Sequence, residues 1–408
     1  MQCGLLGAKL SHSYSPKIHK LLGSYTYSLF EKDPDELQDF LKNGDFTGLN
    51  VTIPYKQTVI PFCDSLSSIA QRLGAVNVLV RQPDGTLMGH NTDYFGFETM
   101  LNQSGLNVKG KKTLVLGTGG ASKVAAAVLE ERGACVVVIS RNGEHNYATL
   151  NQHTDAAVIV NTTPVGMFPH TGNAPISLDQ FSCLEGVLDV IYNPSRTKLL
   201  LDAEKRGVVA MNGLLMLVAQ AKEASEWFTG TKIPDEKIHK IHAHLKNQME
   251  NIVLVGMPGT GKSTVGQILA EHTGKRFVDV DSLIAEKAGC AISQIFAEQG
   301  EARFRKLETQ VLEEVGKQSG LVIATGGGCV TKEDNYPLLH QNGRIFCLER
   351  ELSLLPTEGR PLSQKTALNE MYQIRKPMYA RFADYHVTNN GKPDDAAQQI
   401  LRIWEECQ

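Results

Sequence analysis

The stretch 252-IVLVGMPGTGKST-264 decides the fold of the C-terminal part of the chain. Its apolar start predicts a buried strand, and G-x-x-x-x-G-K-S is a Walker A loop, whose backbone N–H groups converge on phosphate oxygens. Lys262 is expected to be a catalytic residue that reaches the β- and γ-phosphates, and Ser263 is expected to bind Mg²⁺. The ATP-binding residues predicted from this loop are Gly259, Thr260, Gly261, Lys262, Ser263 and Thr264.

A second glycine-rich turn, 117-GTGGAS-122, follows another apolar run and precedes the helical pattern 122-SKVAAAVLEERG-133. The strand 135-CVVVIS-140 completes a βαβ unit of the dinucleotide-binding type, although Ser122 stands at the third glycine of G-x-G-x-x-G. Arg141 follows this strand, where an NAD site has an acidic residue. A guanidinium suits a 2′-phosphate, so the sequence favours NADP as the cofactor. The alternative is that Arg141 is only a surface or capping charge.

Composition narrows the classes of protein. The 408 residues suggest two or three domains, and a net charge of -3 gives no reason to expect nucleic acid as a partner. The eight cysteines form no C-x-x-C pair, which indicates reduced cytoplasmic thiols and neither a disulfide framework nor a zinc site. No apolar run is long enough to span a bilayer, and no charged leader precedes 3-CGLLG-7, so no membrane partner and a cytoplasmic location are expected.

Short apolar runs alternate with helical patterns along the whole chain. Continuous Val, Ile and Leu runs are typical of parallel strands buried on both faces, so the alternation predicts α/β domains with ligands at the strand C-termini. The stretch 227–251 contains Gly, Pro and a charged helical pattern, and a domain boundary is expected near Gln248. The candidate strands are 49–53, 75–80, 113–117, 135–140, 156–161, 187–191, 252–256, 321–325 and 344–349.

The segments after the Walker loop resemble shikimate kinase, from about Asn251 to the end. They are 277-FVDVDSLIAEKAG-289, 298-EQGEARFRKLE-308, 324-ATGGGCV-330, 358-EGRPL-362 and 374-IRKPMYARFADY-385. The resemblance implies that Asp281 orients the acceptor diol, that Arg305 and Arg375 bind the shikimate carboxylate, and that Gly326, Gly327 and Gly328 allow close backbone contact. It also makes Arg360 the catalytic lid arginine that meets the ATP phosphates, and Ser263 and Asp279 the Mg²⁺ ligands.

The roles implied for the kinase-like segment agree with the chemistry of its residues, but some of these residues also have a structural alternative. A guanidinium binds a carboxylate at two points, and phosphoryl transfer needs positive charge at the migrating group. Asp279 has the alternative of a helix N-cap. Glu308, three residues after Arg305, either orients that arginine or is an exposed helix charge.

The N-terminal segments resemble shikimate dehydrogenase over about residues 1 to 240. They are 11-SHSYSP-16, 50-NVTIPYK-56, 74-GAVNVLV-80, 90-HNTDYFG-96, 161-NTTPVGM-167, 189-DVIYNP-194 and 212-NGLLMLVAQA-221. The resemblance implies a catalytic pair, Lys56 and Asp93. It implies substrate contacts by Ser13, Ser15, Thr52, Asn77, Asp93, Tyr192 and Gln220. The NADP-binding residues are expected to be Gly117, Thr118, Gly119, Gly120, Ala121, Arg141, Val190 and Gly213.

The chemistry of ketone reduction supports the pair. The oxygen that becomes an alkoxide must receive a proton, which a positioned ammonium can supply while a carboxylate holds it. Each residue also has a plain alternative, since Lys56 alone would be a surface lysine and Asp93 a helix N-cap.

The two resemblances together imply a bifunctional enzyme of chorismate and aromatic amino-acid biosynthesis, with NADP(H), ATP and Mg²⁺ as cofactors. The first reaction reduces 3-dehydroshikimate to shikimate, and the second makes shikimate 3-phosphate. The predicted fold is α/β: a substrate domain (1–93 plus 213–240), a Rossmann NADP domain (94–212), a linker (241–250) and a P-loop domain (251–408) resembling nucleoside-monophosphate kinases. Oligomers are possible. The alternatives are quinate with NAD at the first site, or one non-catalytic regulatory or assembly unit.

Overall fold

The computed structural model describes residues 1–10, 13–355 and 365–406. Its contacts divide the chain into two compact units, and the last segment of the first unit ends at His244. The N-terminal unit comprises Met1–Val165, Ala174–Tyr192 and Leu199–His244, and the C-terminal unit comprises Gly166–Asn173, Asn193–Lys198 and Leu245–Gln408.

The first sheet of the N-terminal unit has the order β2-β1-β3-β5-β6-β4. Strands β1, β2 and β3 pair in parallel, whereas β5 pairs antiparallel with both β3 and β6. The prediction of parallel strands was wrong for this part, because apolar runs show burial but not strand direction. Its elements are β1 (Gln2–Gly7), α1 (Ser15–Leu22), β2 (Thr26–Glu31), α2 (Leu37–Asn43), β3 (Gly48–Val51), β4 (Ser65–Leu66), α3 (Ser68–Leu73), β5 (Val78–Arg81), β6 (Leu87–His90) and α4 (Asp93–Ser104).

The second sheet of this unit has the order β11-β10-β9-β7-β8, with parallel pairing throughout. The strand order reverses between β7 and β9, the position at which doubly wound sheets bind dinucleotides. Its elements are β7 (Lys112–Leu116), α5 (Gly120–Glu131), β8 (Cys135–Ile139), β9 (Val158–Asn161), β10 (Gly186–Asp189), α6 (Lys198–Lys205), β11 (Val209–Asn212) and α7 (Leu214–Thr229). Helix α8 (Glu236–Met249) follows, and most of the predicted linker 241–250 is therefore helical.

The third sheet belongs to the C-terminal unit and has the order β13-β14-β12-β15-β16, again parallel. Its central strand, β12, leads into the Walker loop. The elements are β12 (Asn251–Val255), α9 (Lys262–Thr273), β13 (Arg276–Asp279), α10 (Val280–Ala288), α11 (Ile292–Gly316), β14 (Leu321–Ala324), α12 (Asn335–His340), β15 (Gly343–Glu349), α13 (Lys365–Phe382), β16 (Tyr385–Thr388) and α14 (Pro393–Glu406). Within the described ranges, no helix is both long and apolar enough to cross a membrane.

Candidate active sites

Two distant residues, Lys56 and Asp93, meet in the N-terminal unit. Lys56 lies in the turns after β3, and Asp93 is the first residue of α4, directly after β6. The Lys56 Nζ lies 2.5 Å from the Asp93 Oδ2, and the two side chains are only 23% and 11% exposed. The helix N-cap is Thr92, so the alternative that Asp93 caps α4 is wrong. The pair is a charge-assisted hydrogen bond, largely shielded from water.

A buried amide network lies beside this pair. The Thr92 backbone N–H donates to the Asn77 Oδ1 at 2.7 Å, and the Asn77 Nδ2 donates to the Thr92 Oγ1 at 3.1 Å. The Thr92 hydroxyl also lies 3.5 Å from the Gln220 Oε1. Thr92 is fully buried, and its role was not predicted, although it stands inside the 90–96 motif. It fixes the orientation of two of the predicted substrate-binding amides.

Three predicted substrate-binding hydroxyl residues lie in the segments that follow β1 and β3. The backbone N–H of Ser15, at the start of α1, donates to the Ser13 Oγ at 3.2 Å, which is a local turn contact. The side chain of Thr52 lies against Gly7, where a Cβ would be 2.7 Å from the Thr52 Cγ2.

An aromatic pair flanks these hydroxyls. Tyr14, between the two serines, packs edge-on against Tyr192 with a 5.9 Å centroid separation. Burial raises the pKa of Tyr192 to about 12, so its phenol stays a neutral hydrogen-bond donor.

The glycine turn 117–122 connects β7 to α5. Gly117 has a φ of 112° and packs so closely that a Cβ would lie 2.8 Å from the Thr162 Oγ1. The buried Ser122 hydroxyl donates to the Gly117 carbonyl oxygen at 2.6 Å. This bond gives a physical reason for serine at the third glycine position, because the hydroxyl ties the turn together. A Cβ at Gly120 would lie 3.8 Å from the Lys56 Cδ, so the turn adjoins the Lys56–Asp93 pair.

The other predicted cofactor residues lie in the glycine turn, after β8 and at the start of α7. Arg141 follows β8 and is exposed, as are Thr118 and Gly119 in the turn. Gly213 is the N-cap of α7, and a Cβ there would lie 2.1 Å from the Val190 carbonyl oxygen. Glycine is therefore the residue that fits at position 213.

In the C-terminal unit, the Walker loop connects β12 to α9. Lys262, the first residue of α9, donates from its Nζ to the carbonyl oxygens of Gly256 at 2.9 Å and Met257 at 3.0 Å. The buried Asn389, just after β16, donates from its Nδ2 to the Thr260 carbonyl oxygen at 2.7 Å. Asn389 was missed by the sequence reasoning, because it lies far from the loop in the chain. It fastens the loop to the segment after β16, which is two strands away from β12 in the sheet.

The carboxylate of Asp279, at the end of β13, accepts hydrogen bonds from two different residues. Its Oδ1 accepts from the Ser282 backbone N–H at 3.1 Å, which makes it the N-cap of α10. Its Oδ2 accepts from the Ser263 hydroxyl at 2.6 Å. The N-cap alternative is thus correct, and the two predicted Mg²⁺ ligands are also adjacent.

The acceptor residues converge on the glycine segment after β14. A Cβ at Gly326 would lie 2.7 Å from the Asp281 Oδ1, and one at Gly328 would lie 2.2 Å from the Arg305 Nη2. The Arg305 Nη1 donates to the Glu308 Oε2 at 2.8 Å, and Glu308 is fully buried. The alternative that Glu308 is an exposed charge is therefore wrong. Burial raises the pKa of the Glu308 carboxyl, and Arg305 partly offsets this rise.

Helix α13 closes the other side of the glycine segment. The Arg375 Nη1 and the Tyr379 hydroxyl both donate to the Gly327 carbonyl oxygen, at 3.1 and 2.5 Å. A Cβ at Gly327 would lie 2.6 Å from Pro258 of the Walker loop, so the acceptor and phosphate residues adjoin. Arg360 and the predicted lid residues 356–362 lie outside the described residues.

A lysine–carboxylate pair beside a dinucleotide turn defines the N-terminal unit as an NAD(P)-dependent oxidoreductase. A Walker loop beside a glycine segment that Arg305 and Arg375 contact defines the second unit as a phosphotransferase. Family models match in both units. The model for the shikimate dehydrogenase substrate binding domain matches residues 5–79, and the model for shikimate kinase matches residues 258–405.

Known proteins match the N-terminal part of the chain. A shikimate dehydrogenase (NADP(+)) from Clostridium perfringens (strain 13 / Type A) is 35% identical over 265 residues, 60% of this chain and 97% of that protein. The structure of shikimate dehydrogenase 1 from Peptoclostridium difficile is 36% identical, has a TM-score of 0.56, and covers 60% of this chain and 97% of its own. A chorismate mutase/shikimate 5-dehydrogenase fusion protein from Clostridium acetobutylicum is 35% identical, with a TM-score of 0.57 and coverage of 60% and 97%.

The chain belongs to the shikimate dehydrogenase family and carries a shikimate kinase domain after it. The predicted fusion, fold class and pair of enzyme activities are confirmed, and the chain is a bifunctional enzyme of the shikimate pathway. The predicted cofactors agree with these families, and the alternatives of quinate with NAD and of a non-catalytic unit are not favoured.

Proposed function

We propose that the N-terminal site reduces 3-dehydroshikimate to shikimate with NADPH, and that the C-terminal site phosphorylates the 3-hydroxyl of that shikimate with ATP and Mg²⁺. The observation that carries this proposal is the shielded Lys56–Asp93 pair next to a dinucleotide turn, in the same chain as a complete Walker loop. The product of the first reaction is the substrate of the second, on the way to chorismate and the aromatic amino acids.

At the first site, the Lys56 ammonium donates a proton to the carbonyl oxygen as it becomes a hydroxyl, and Asp93 holds the ammonium in place. The substrate hydroxyl can then hydrogen-bond to the amide of Asn77, whose orientation is fixed by its bonds to Thr92. In this proposal Ser13 and Ser15 bind the substrate carboxylate. The hydroxyl groups are bound by Thr52, Asn77, Asp93, Tyr192 and Gln220.

The cofactor crevice fits a dinucleotide phosphate. In this turn Gly117 packs against Thr162 too closely for a side chain, and Gly213 packs in the same way against the Val190 backbone. Arg141 is exposed at the end of β8, where a 2′-phosphate would meet it. When bound, NADPH supplies the hydride that reduces the ketone.

At the second site, Lys262 exchanges its two carbonyl partners for the ATP phosphates, and the glycines at 259 and 261 allow backbone donors to face them. Ser263 and Asp279 would hold Mg²⁺, which neutralises phosphate charge. Asp281 orients the 3-hydroxyl, while Arg305 and Arg375 bind the carboxylate above Gly327. The proposed role of Arg360 as the lid arginine rests on the resemblance alone.

We propose the domain division given by the sequence: a substrate domain (1–93 plus 213–240), an NADP domain (94–212), a linker (241–250) and a kinase domain from residue 251. We also infer a cytoplasmic enzyme that acts on small molecules, without nucleic acid or membrane partners. The free thiols among the described cysteines support this location.

Two single substitutions test the proposal. We expect Lys56→Ala to abolish NADPH oxidation with 3-dehydroshikimate while shikimate phosphorylation continues. Lys262→Ala should have the opposite effect. One coupled assay, with 3-dehydroshikimate, NADPH, ATP and Mg²⁺, follows both activities and gives each variant an internal control. A substitution that leaves both activities unchanged would refute the assignment of its unit.

A further inference from the structure

Three side chains with different metal-ligand chemistry meet at one edge of the third sheet. Cys347 and Glu349 alternate on β15 and so share one face of the strand, and His386 on β16 is the register partner of Cys347. One ligand atom from each side chain lies within 4.8 Å of the others. The His386 Nδ1 is already 2.9 Å from the Glu349 Oε1. The strand pairing therefore builds a preformed cluster of sulfur, nitrogen and oxygen donors.

This cluster lines a cavity of about 290 Å³, which the basic residues Arg350 and Lys376 also line. Glu349 and His386 are 46% and 43% exposed at its entrance, while Cys347 is buried at its floor. Met257 and Thr260 of the Walker loop line the same cavity, together with α13. The cluster is distinct from the proposed Mg²⁺ ligands, which are Ser263 on α9 and Asp279 at the end of β13.

We propose that Cys347, Glu349 and His386 bind one Zn²⁺ ion. The mixed donor set matches this metal, because zinc accepts thiolate, imidazole and carboxylate ligands, whereas Mg²⁺ requires oxygen ligands. Three protein ligands leave a fourth tetrahedral position open to the cavity. On binding, the thiol proton of Cys347 passes to solvent, and the thiolate and Glu349 together balance the charge of the ion.

No sequence motif indicates this proposed site. The cysteines form no C-x-x-C pair, and His386 lies 37 residues from Glu349. Only the pairing of β15 with β16 brings the ligands together. The ion would link β15 to β16. Its ligand His386 lies three residues before Asn389, whose side chain is hydrogen-bonded to the Walker loop. Zinc is therefore expected to stabilise the phosphate loop of the kinase.

The test is a zinc titration of the full chain after removal of metal by chelation, in competition with a chromophoric chelator. We expect one high-affinity equivalent of Zn²⁺, and a loss of affinity of about tenfold or more in both Cys347→Ser and His386→Asn. The matched controls are Cys183→Ser and His239→Asn, at exposed positions outside the cluster, which should bind as the unaltered chain does. Substitution with Co²⁺ should give the charge-transfer absorption of a metal–thiolate bond, which Cys347→Ser abolishes.

Several results would overturn the proposal: no stoichiometric zinc binding, unchanged affinity in either cluster variant, or no cobalt–thiolate absorption. Circular dichroism and thermal unfolding of the metal-free variants show whether each is folded. His386 is half-exposed, so His386→Asn tests the site even if Cys347→Ser disturbs the core.

Discussion

The two glycine loops that we propose to bind phosphates depend on the rest of the fold in opposite ways. The Walker loop carries its own chemistry, since Lys262 and Ser263 lie within the motif and already contact loop carbonyls and Asp279. The turn at 117–122 has no ionisable side chain. Its neighbour Lys56 lies after β3 of the first sheet, and the partner of Lys56, Asp93, lies after β6 of that sheet.

This difference indicates how each reaction is controlled. Phosphoryl transfer is mainly positioning and charge stabilisation, which a compact loop with one lysine can provide. Ketone reduction needs a proton donor set against the cofactor, and that donor must come from outside the dinucleotide turn. The dehydrogenase site should therefore be sensitive to residues far from its glycine turn.

The strongest test of this dependence is Asp93→Asn. We expect kcat for 3-dehydroshikimate reduction to fall by about 10²- to 10⁴-fold, because Lys56 loses the carboxylate that holds its ammonium. Steady-state kinetics of both reactions measure this, and the kinase rate should not change. Asp84→Asn, in an exposed turn, is the matched control. An unchanged dehydrogenase kcat in Asp93→Asn would contradict the proposed catalytic pair.

A second test concerns the residue that selects the cofactor. We expect Arg141→Gln to raise the KM for NADPH by about 10- to 100-fold, because a charge-assisted contact to the 2′-phosphate is lost. The KM for NADH should stay the same, since NADH lacks this phosphate. Lys109→Gln, another exposed basic residue of this unit, controls for the change in net charge. An equal loss for both cofactors would show that Arg141 does not read the 2′-phosphate.

The sequence predicted most of the third sheet and the Walker loop, because the motif and its flanking strand and helix are contiguous. It predicted less of the first sheet, where β5 is antiparallel to its neighbours. Strand direction depends on connections across the fold, which apolar runs do not reveal.

Supporting residues were the least predictable part of both sites. Thr92 and Asn389 hold site residues through buried hydrogen bonds with partners at sequence separations of 15 and 129 residues. A threonine or asparagine alone carries no pattern that indicates such a contact. In contrast, the position of Glu308 three residues after Arg305 on a helix did suggest their contact, and the structure contains it.

The acceptor side of the kinase depends on the fold more than the Walker loop does, and Glu308→Gln tests this. We expect the KM for shikimate to rise about tenfold, because Arg305 loses its buried ionic partner, while the KM for ATP is unchanged. Glu301→Gln is the matched control, since Glu301 contacts the same arginine but is 61% exposed. A weak effect is expected there because exposed ion pairs contribute little. Equal effects of both substitutions would argue against a special role for burial.

The smallest expected effects come from the two hydrogen bonds that hold the loops in shape. Ser122→Ala removes the donor to the Gly117 carbonyl, and Asn389→Ala removes the donor to the Thr260 carbonyl. Each bond is worth about 1 kcal/mol, so we expect KM for the corresponding nucleotide to rise about fivefold. Each variant is the control for the other, because Ser122→Ala should affect only NADPH and Asn389→Ala only ATP. Thermal unfolding of both variants separates a local effect on the loop from a general loss of stability. If Asn389→Ala left the KM for ATP unchanged, the Walker loop would hold its shape without help from β16, and the contrast between the two loops would be sharper still.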